Sequence, residues 1–311
     1  MEVTVVGAGI VGCAVAYELG RAGAAVTVLE RSSPGSGVTA QSFAWIGGPR
    51  EGDPPDASTP LRRQVLPGWR RWERDVPGVR VRWHGALTWG GPLRGEVIGA
   101  ARVRALEPRL RDVPGRAVHL ADHGSVDPVA VTRALLRASG ARVHERTAVS
   151  SLPAADMVVL AAGVDTARLC APLGIDLPVR PSPAVLMRFA APPGLVRTLV
   201  DSPGLEVRQA ADGTLLVPTA VGADAEQVRR RLVAAFGTED VRLLSARVGV
   251  RPMPVDGLPL IGPVAPGVYV AVMHSAITLA PAAAGLIAAE IVHGAQAPEL
   301  AALRPGRAPV V

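Results

Sequence analysis

Three glycines and one acid within the first thirty residues define the clearest chemistry in this 311-residue chain. Gly7-Ala8-Gly9-Ile10-Val11-Gly12 follows the β-branched run Val3–Val6, and Glu30 closes a second apolar run, Ala25–Leu29. Gly7 suits a tight strand-to-helix turn, Gly9 lets a pyrophosphate approach the backbone, and Gly12 lets helix and strand pack closely. The N-terminus of the following helix offers unpaired N–H groups and partial positive charge to phosphate. The Glu30 carboxylate can accept hydrogen bonds from ribose hydroxyls and would repel a 2′-phosphate, which argues against NADP. These residues predict a dinucleotide site and leave NAD and FAD both open.

The elements that must position this site follow from pattern. Cys13 to Leu19 reads as an apolar helix broken by Gly20 and Gly23. Arg31–Gly37 is a polar loop leading into Val38–Trp45, and Glu51–Pro60 reads as an exposed loop. Leu61–Asp75 reads as one helix. Val79–His84 alternates with period two and is expected to be a strand, followed by a second over Gly85–Trp89. A short helix is expected at Val103–Leu110 and a strand at Ala117–Leu120. Asp127 caps a helix with Pro128 in its first turn, ending at Gly140. Strands are expected over Ala141–Val149, Asp156–Gly163, Val179–Phe189 and Leu205–Val217, the last with a turn at Asp212-Gly213. Ala223–Phe236 reads as a helix, Val268–Val272 as a buried strand, and a buried helix is expected from Pro281. Parallel and antiparallel patterns alternate along the chain. The expected class is α/β (α+β, two-domain): a Rossmann-like nucleotide domain interleaved with an antiparallel-sheet domain. Residues 1–78, 123–178 and 247–311 are assigned to the first, and 79–122 and 179–246 to the second.

Composition narrows the function classes. The net charge of +6 is carried by arginine alone, for the chain has no lysine and no asparagine. Arg62-Arg63, Arg70-Arg71 and Arg229-Arg230-Arg231 lie in amphipathic helical stretches without interleaved aromatics, so no nucleic-acid partner is expected. Cys13 and Cys170 provide neither a disulfide framework nor a metal site, and a reducing cytoplasm is the expected compartment. Met1-Glu2 lacks the basic start of a signal peptide. Gly257–Ala289 carries no Asp, Glu, Lys or Arg, but Pro259, Pro263, Pro266 and Pro281 divide it, so no membrane span is expected.

Four later segments carry a family resemblance. Val248-Gly249-Val250-Arg251-Pro252-Met253-Pro254-Val255-Asp256-Gly257-Leu258-Pro259-Leu260-Ile261-Gly262 resembles the G-x-R-P-x-x-x-D-G-x-P-x-I-G segment of the D-amino-acid oxidase superfamily, which includes glycine oxidase and sarcosine oxidase. His274-Ser275-Ala276-Ile277-Thr278-Leu279-Ala280-Pro281 resembles that family's last loop before its C-terminal helix. Gly124-Ser125-Val126-Asp127-Pro128 matches a further landmark, and Asp156–Gly163 resembles the second nucleotide-contact strand. The resemblance implies an FAD-binding domain and oxidation of the C–N bond of an amino acid or secondary amine. In such enzymes hydride passes to flavin N5, the imine hydrolyses, and O2 or another acceptor reoxidises the flavin.

On this resemblance Gly7, Gly9, Gly12 and Glu30 hold the ADP half. Arg31 and Ala40-Gln41-Ser42 contact phosphate or flavin, Val149 and Ala162-Gly163 flank the adenine side, and Arg251 with His274-Ser275-Ala276-Ile277-Thr278-Leu279 meets the isoalloxazine. The N-terminus of the last helix would stabilise negative charge on the reduced flavin. Candidate catalytic or substrate residues are His274 as a proton acceptor, Arg251 or Arg50 as the carboxylate partner, and Trp45 as a pocket wall. His84, His119, His123, His144 and His293 are given no site role. The chain departs from its relatives in lacking an arginine in the last loop and lacking the lysine that sarcosine-oxidase-like members use with O2. The late loop has no cysteine and the early loop no histidine, so FAD is expected to be non-covalent. Oxidation of a 2-hydroxy acid, a dehydrogenase with another acceptor, and a flavin-binding subunit without turnover are the alternatives. A homo-oligomer or partner subunit could complete the pocket.

Overall fold

The computed structural model describes residues 1–307. Two large sheets divide the work. The first has six strands in the order Leu260–Ala265, Val268–Val272, Met157–Leu160, Glu2–Val6, Ala25–Leu29 and Arg142–His144. All neighbours pair in parallel except the first two. The central strand reads apolar on both faces, and Val3–Val6 is buried, as parallel strands covered on both sides must be.

The helix Ile10–Arg21 covers one face and is buried from Gly12 through Leu19. Gly20 does not break it. A Cβ at Gly20 would lie 2.2 Å from the carbonyl oxygen of Ser139, so this glycine serves the close approach of the capped helix Pro128–Ala138. That helix begins as its sequence dictates, with Asp127 accepting from the amides of Val129 and Ala130. The C-terminal helix Ala276–His293 packs on the same side. It starts five residues earlier than expected, and Pro281 lies inside it, seated against Gly68, where a Cβ would fall 2.9 Å from the proline ring. It is the one described helix long and apolar enough to cross a membrane, and half of it is buried against the rest of the chain. Its neighbours include Trp69 and Trp72, fully buried with ring centroids 5.4 Å apart. Burying two such side chains contributes several kcal/mol.

The second sheet has eight strands: Arg242–Pro254, Val179–Ala190, Leu215–Thr219, Leu205–Gln209, Leu199–Ser202, Ala86–Thr88, Arg116–Leu120 and Glu96–Gly99. It is antiparallel except where Leu199–Ser202 meets Ala86–Thr88. Arg242–Pro254 pairs with Val179–Ala190 along its whole length, so a boundary at residue 247 falls inside a strand of this sheet. One face packs on the helix Ala225–Phe236 through Val185, Met187, Val207 and Val217. The other face turns toward the nucleotide domain, where Ala86, Val118, Leu120 and Leu199 meet Phe43 and Trp45.

Other elements are shorter than their patterns suggest. Leu61–Asp75 resolves into Thr59–Arg62 and Val65–Asp75. The helix expected at Val103–Leu110 runs over Ala100–Leu106. Val79–His84 is not a strand; only Arg82 bridges, to Ser125. Side chains hold this segment instead: Glu73 accepts from the Val81 amide and the Trp83 indole, and Arg82 donates to the carbonyl of Gln209.

Candidate active site

The nucleotide end is built almost wholly of backbone. Gly7 has φ +100°, and a Cβ there would lie 2.6 Å from the carbonyl oxygen of Ala161. At Gly12 a Cβ would fall 1.9 Å from the carbonyl oxygen of Gly7. No side chain of Gly9 caps the helix; Thr39 Oγ1 accepts from the Ile10 amide at 3.1 Å. The remaining first-turn amides have no intrahelical partner by geometry. Glu30 Oε2 accepts from the Ala8 amide and Oε1 from the Ser32 amide, each at 2.8 Å. This fixes the carboxylate at the end of the second strand, beside the glycine loop. Ala162 lies against Gly7 and shares an apolar cluster with Val149. Gly163 follows with φ +60°. Arg31 stands at the rim, paired with Asp165.

The loop that carries Ala40, Gln41 and Ser42 is clamped from the antiparallel sheet. Arg188 donates to Gln41 Oε1 at 3.1 Å and to the Ala40 carbonyl at 2.6 Å. Arg208, 2 % exposed, donates to the carbonyls of Phe43 and Val126. Burial lowers the Arg208 pKa to about 10, still charged at neutral pH. Ser42 Oγ accepts from the Ala44 amide, and Ala44 holds φ +57°, a left-handed conformation that costs a non-glycine residue about 1 kcal/mol or more. The two arginines hold this turn in place. Their signal lies in the sequence as charged residues alternating with Val207, Met187 and Phe189 on strands, yet alternation alone does not say which face is buried.

Past this loop lies a cleft of about 360 Å³. Trp45, Arg50, His274, Ser275, Thr278 and Leu279, all expected at the site, line it together with Gly47, Gly48, Arg62 and His123. Thr278 Oγ1 donates to the Trp45 carbonyl at 2.7 Å and ties the early loop to the last helix. No side chain caps that helix at Ser275, which leaves its first-turn amides without side-chain partners, and Ser275, Thr278 and Leu279 of this end line the cleft. Ala276 and the buried Ile277 form its first turn.

Arg251 stands behind the cleft. It donates to Ser182 Oγ at 2.8 Å and to the Ser182 carbonyl, and NH1 lies 3.3 Å from His274 Nε2. Dehydration, and then the adjacent Arg251 charge, lower the His274 pKa. An arginine only donates, so His274 Nε2 accepts and the ring is neutral. His123 and Arg62, given no site role by the sequence, also line the cleft. His123 is the buried one. It is 5 % exposed, and its pKa falls to about 4, first by burial and also through Arg50 and Arg62. No periodic or spacing signal distinguishes it from the other histidines. Among the described residues no cluster of His, Cys, Asp and Glu could hold a metal ion.

This geometry agrees with what the chain is similar to. Residues 2–290 match the DAO family, FAD dependent oxidoreductases, and the chain belongs to that family. It is 25 % identical to the glycine oxidase of Geobacillus kaustophilus (strain HTA426), across 94 % of this chain and 92 % of that one. The crystal structure of glycine oxidase from Geobacillus kaustophilus superposes with a TM-score of 0.83 at 23 % identity, covering 98 % of both chains. L-proline dehydrogenase from P. horikoshii superposes with a TM-score of 0.82 at 20 % identity, covering 96 % of this chain and 95 % of that one. The protein is therefore an FAD-dependent oxidoreductase. Its residues fit the cofactor: a glycine loop in which Gly7 and Gly12 leave no room for a Cβ, a helix N-terminus suited to the pyrophosphate, an acid suited to the ribose, and a cleft ending at a second helix N-terminus.

Proposed function

We propose that the enzyme oxidises the C–N bond of an amino acid or secondary amine, giving an imine that water hydrolyses. The observation that carries this reading is that His274 lines the cleft at the N-terminus of Ala276–His293 and has the Arg251 guanidinium within 3.3 Å behind it. The relatives it resembles, described as glycine oxidases, favour the same chemistry. Bound FAD supplies the two-electron acceptor. Gly7, Gly9, Gly12 and the helix amides hold the pyrophosphate, Glu30 the ribose, and Ala162, Gly163 and Val149 the adenine side. Arg251 holds the substrate carboxylate by a two-pronged hydrogen bond. As Arg251 turns to that carboxylate it releases His274 Nε2, which takes the proton of the substrate ammonium. Trp45, fixed through its carbonyl by Thr278 and through its indole by His123, forms the wall that orients the reacting carbon and excludes water.

FAD is non-covalent in this reading, since Met273-His274-Ser275 has no cysteine and Gly37–Trp45 no histidine to anchor it. O2 is the acceptor in this reading, and the absence of lysine from the chain keeps a dehydrogenase with another acceptor as the alternative. An anaerobic visible spectrum with a panel of amino acids and secondary amines tests the proposal. Bleaching by one compound supports it, and readmitting air separates oxidase from dehydrogenase. Bleaching only by 2-hydroxy acids, or by nothing, overturns it.

A further inference from the structure

Arg251 and His274 account for one anionic group of a substrate. The same cleft carries three further donors that this chemistry leaves unused. Arg50, Arg62 and His123 line it together. Among the described residues Asp53, Asp56 and Asp201 form no ion pair with either guanidinium group. Asp53 takes the Arg50 backbone amide on one oxygen and Arg94 on the other. Asp56 is bonded to the amide and hydroxyl of Ser58 and the hydroxyl of Thr59. Asp201 acts on Arg50 electrostatically from the sheet, but no ion pair forms between them. Among the described residues neither Arg50 nor Arg62 enters an ion pair.

The third donor is fixed by its neighbour. The Trp45 indole Nε1–H lies 2.8 Å from His123 Nδ1. An indole nitrogen can only donate, so Nδ1 accepts and the proton of the neutral ring sits on Nε2. Gly47 makes room for this ring, since a Cβ there would fall 2.2 Å from His123 Cε1. A buried imidazole of fixed tautomer beside two unpaired guanidinium groups is a built anion-binding arrangement.

We propose that Arg50, Arg62 and the Nε2–H of His123 form a second anion subsite, so that the preferred substrates are amino or imino acids with a carboxylate at each end. The inference rests on the redox reading above and names its substrate class. Isothermal titration calorimetry of the FAD-loaded protein tests it with glutarate and butyrate, which share a similar chain but differ in one charge. Glutarate is expected to bind about tenfold or more tightly than butyrate. The double variant R50Q/R62Q is expected to bring that ratio near unity, whereas Arg251→Gln weakens both ligands. His123→Phe, if it folds, lowers the ratio in the same direction. Equal affinities in the parent protein, or a ratio untouched in R50Q/R62Q, overturn the subsite. Anaerobic bleaching by L-alanine and L-glutamate separates the two readings. Bleaching without glutarate preference leaves the redox reading and removes the subsite. Glutarate preference with no bleaching by any amine keeps the subsite and removes the redox reading.

Discussion

The two ends of the site are built by opposite means. The nucleotide end is local and made of backbone: one strand, one loop, one helix and one acid within thirty residues, with glycines where a Cβ would strike a carbonyl oxygen. The cleft is assembled from the early loop, the segment before the Asp127-capped helix, and the last helix, and it works through side chains. The first can tolerate little change at any one position because nothing there can rotate away. The second has partners that can be removed singly, so its functions should separate.

The largest expected effect lies at the nucleotide end. Gly12→Ala places a methyl 1.9 Å from the Gly7 carbonyl oxygen, forcing the loop to shift at a cost of about 1–3 kcal/mol. The variant should purify without flavin absorbance and fail to bind added FAD. Retention of normal FAD affinity would break the comparison. At the boundary between the two ends, Arg208→Leu should cost about 3 kcal/mol, because the Phe43 and Val126 carbonyls lose a buried charged donor. Chemical denaturation reads this directly, and an unchanged midpoint would show that the arginine clamp does not hold the loop.

The pH-sensitive groups lie away from the nucleotide end, His123 in the cleft and His84 and Glu206 beside or within the antiparallel sheet. His84 and His123 each have pKa values depressed to about 4, chiefly by burial. Their folded values lie below the ordinary 6.5, so the unfolded chain binds the protons first. The stability tied to the neutral rings is present above pH 6.5 and lost as pH falls through 4, up to about 3 kcal/mol for each ring. His84→Gln should flatten the acid limb of a melting-temperature profile between these values. Glu206 has the opposite sign. Burial, then Asp201, raise its pKa to about 7, so its contribution is full below about 4.5 and lost as pH rises through 7. Glu206→Gln should therefore raise the melting temperature at pH 8 and leave it unchanged at pH 4.5.

Within the cleft, Arg251→Gln should weaken amino-acid binding by about 1.5–3 kcal/mol while FAD affinity holds, measured as the substrate dependence of anaerobic flavin reduction. Loss of FAD would mean that Arg251 serves the cofactor alone. The smallest effect belongs to Arg31→Gln. Its pair with Asp165 is largely exposed, so stability should change by less than about 0.5 kcal/mol. A large loss of FAD affinity would instead assign Arg31 to the phosphates.

How far the site was legible follows the same division. Val3–Val6, the glycines, Glu30 and the Asp127 cap could be read because each depends on neighbours within a few residues. Gly20 looks like a helix end in the sequence because its purpose, the close passage of Ser139, lies 119 residues away in the chain. Val79–His84 alternates like a strand yet is not one: the Trp83 indole and the Val81 amide donate to Glu73 and Arg82 to the Gln209 carbonyl, and no partner strand completes a ladder. Arg188 and Arg208 went unnoticed because a strand's period of two marks two faces without naming the buried one.

By itself the sequence determined the dinucleotide fingerprint, the order of parallel and antiparallel elements, and the family-like segments around Arg251 and His274. Backbone chemistry is local, and glycine spacing and capping express it directly. Only the tertiary structure decided that Arg50, Arg62, His123 and His274 share one cleft, that Trp45 fixes the tautomer of His123, and that two buried arginines clamp the early loop. Those relations join residues far apart in the chain, and they depend on burial and direction, which a linear pattern does not carry.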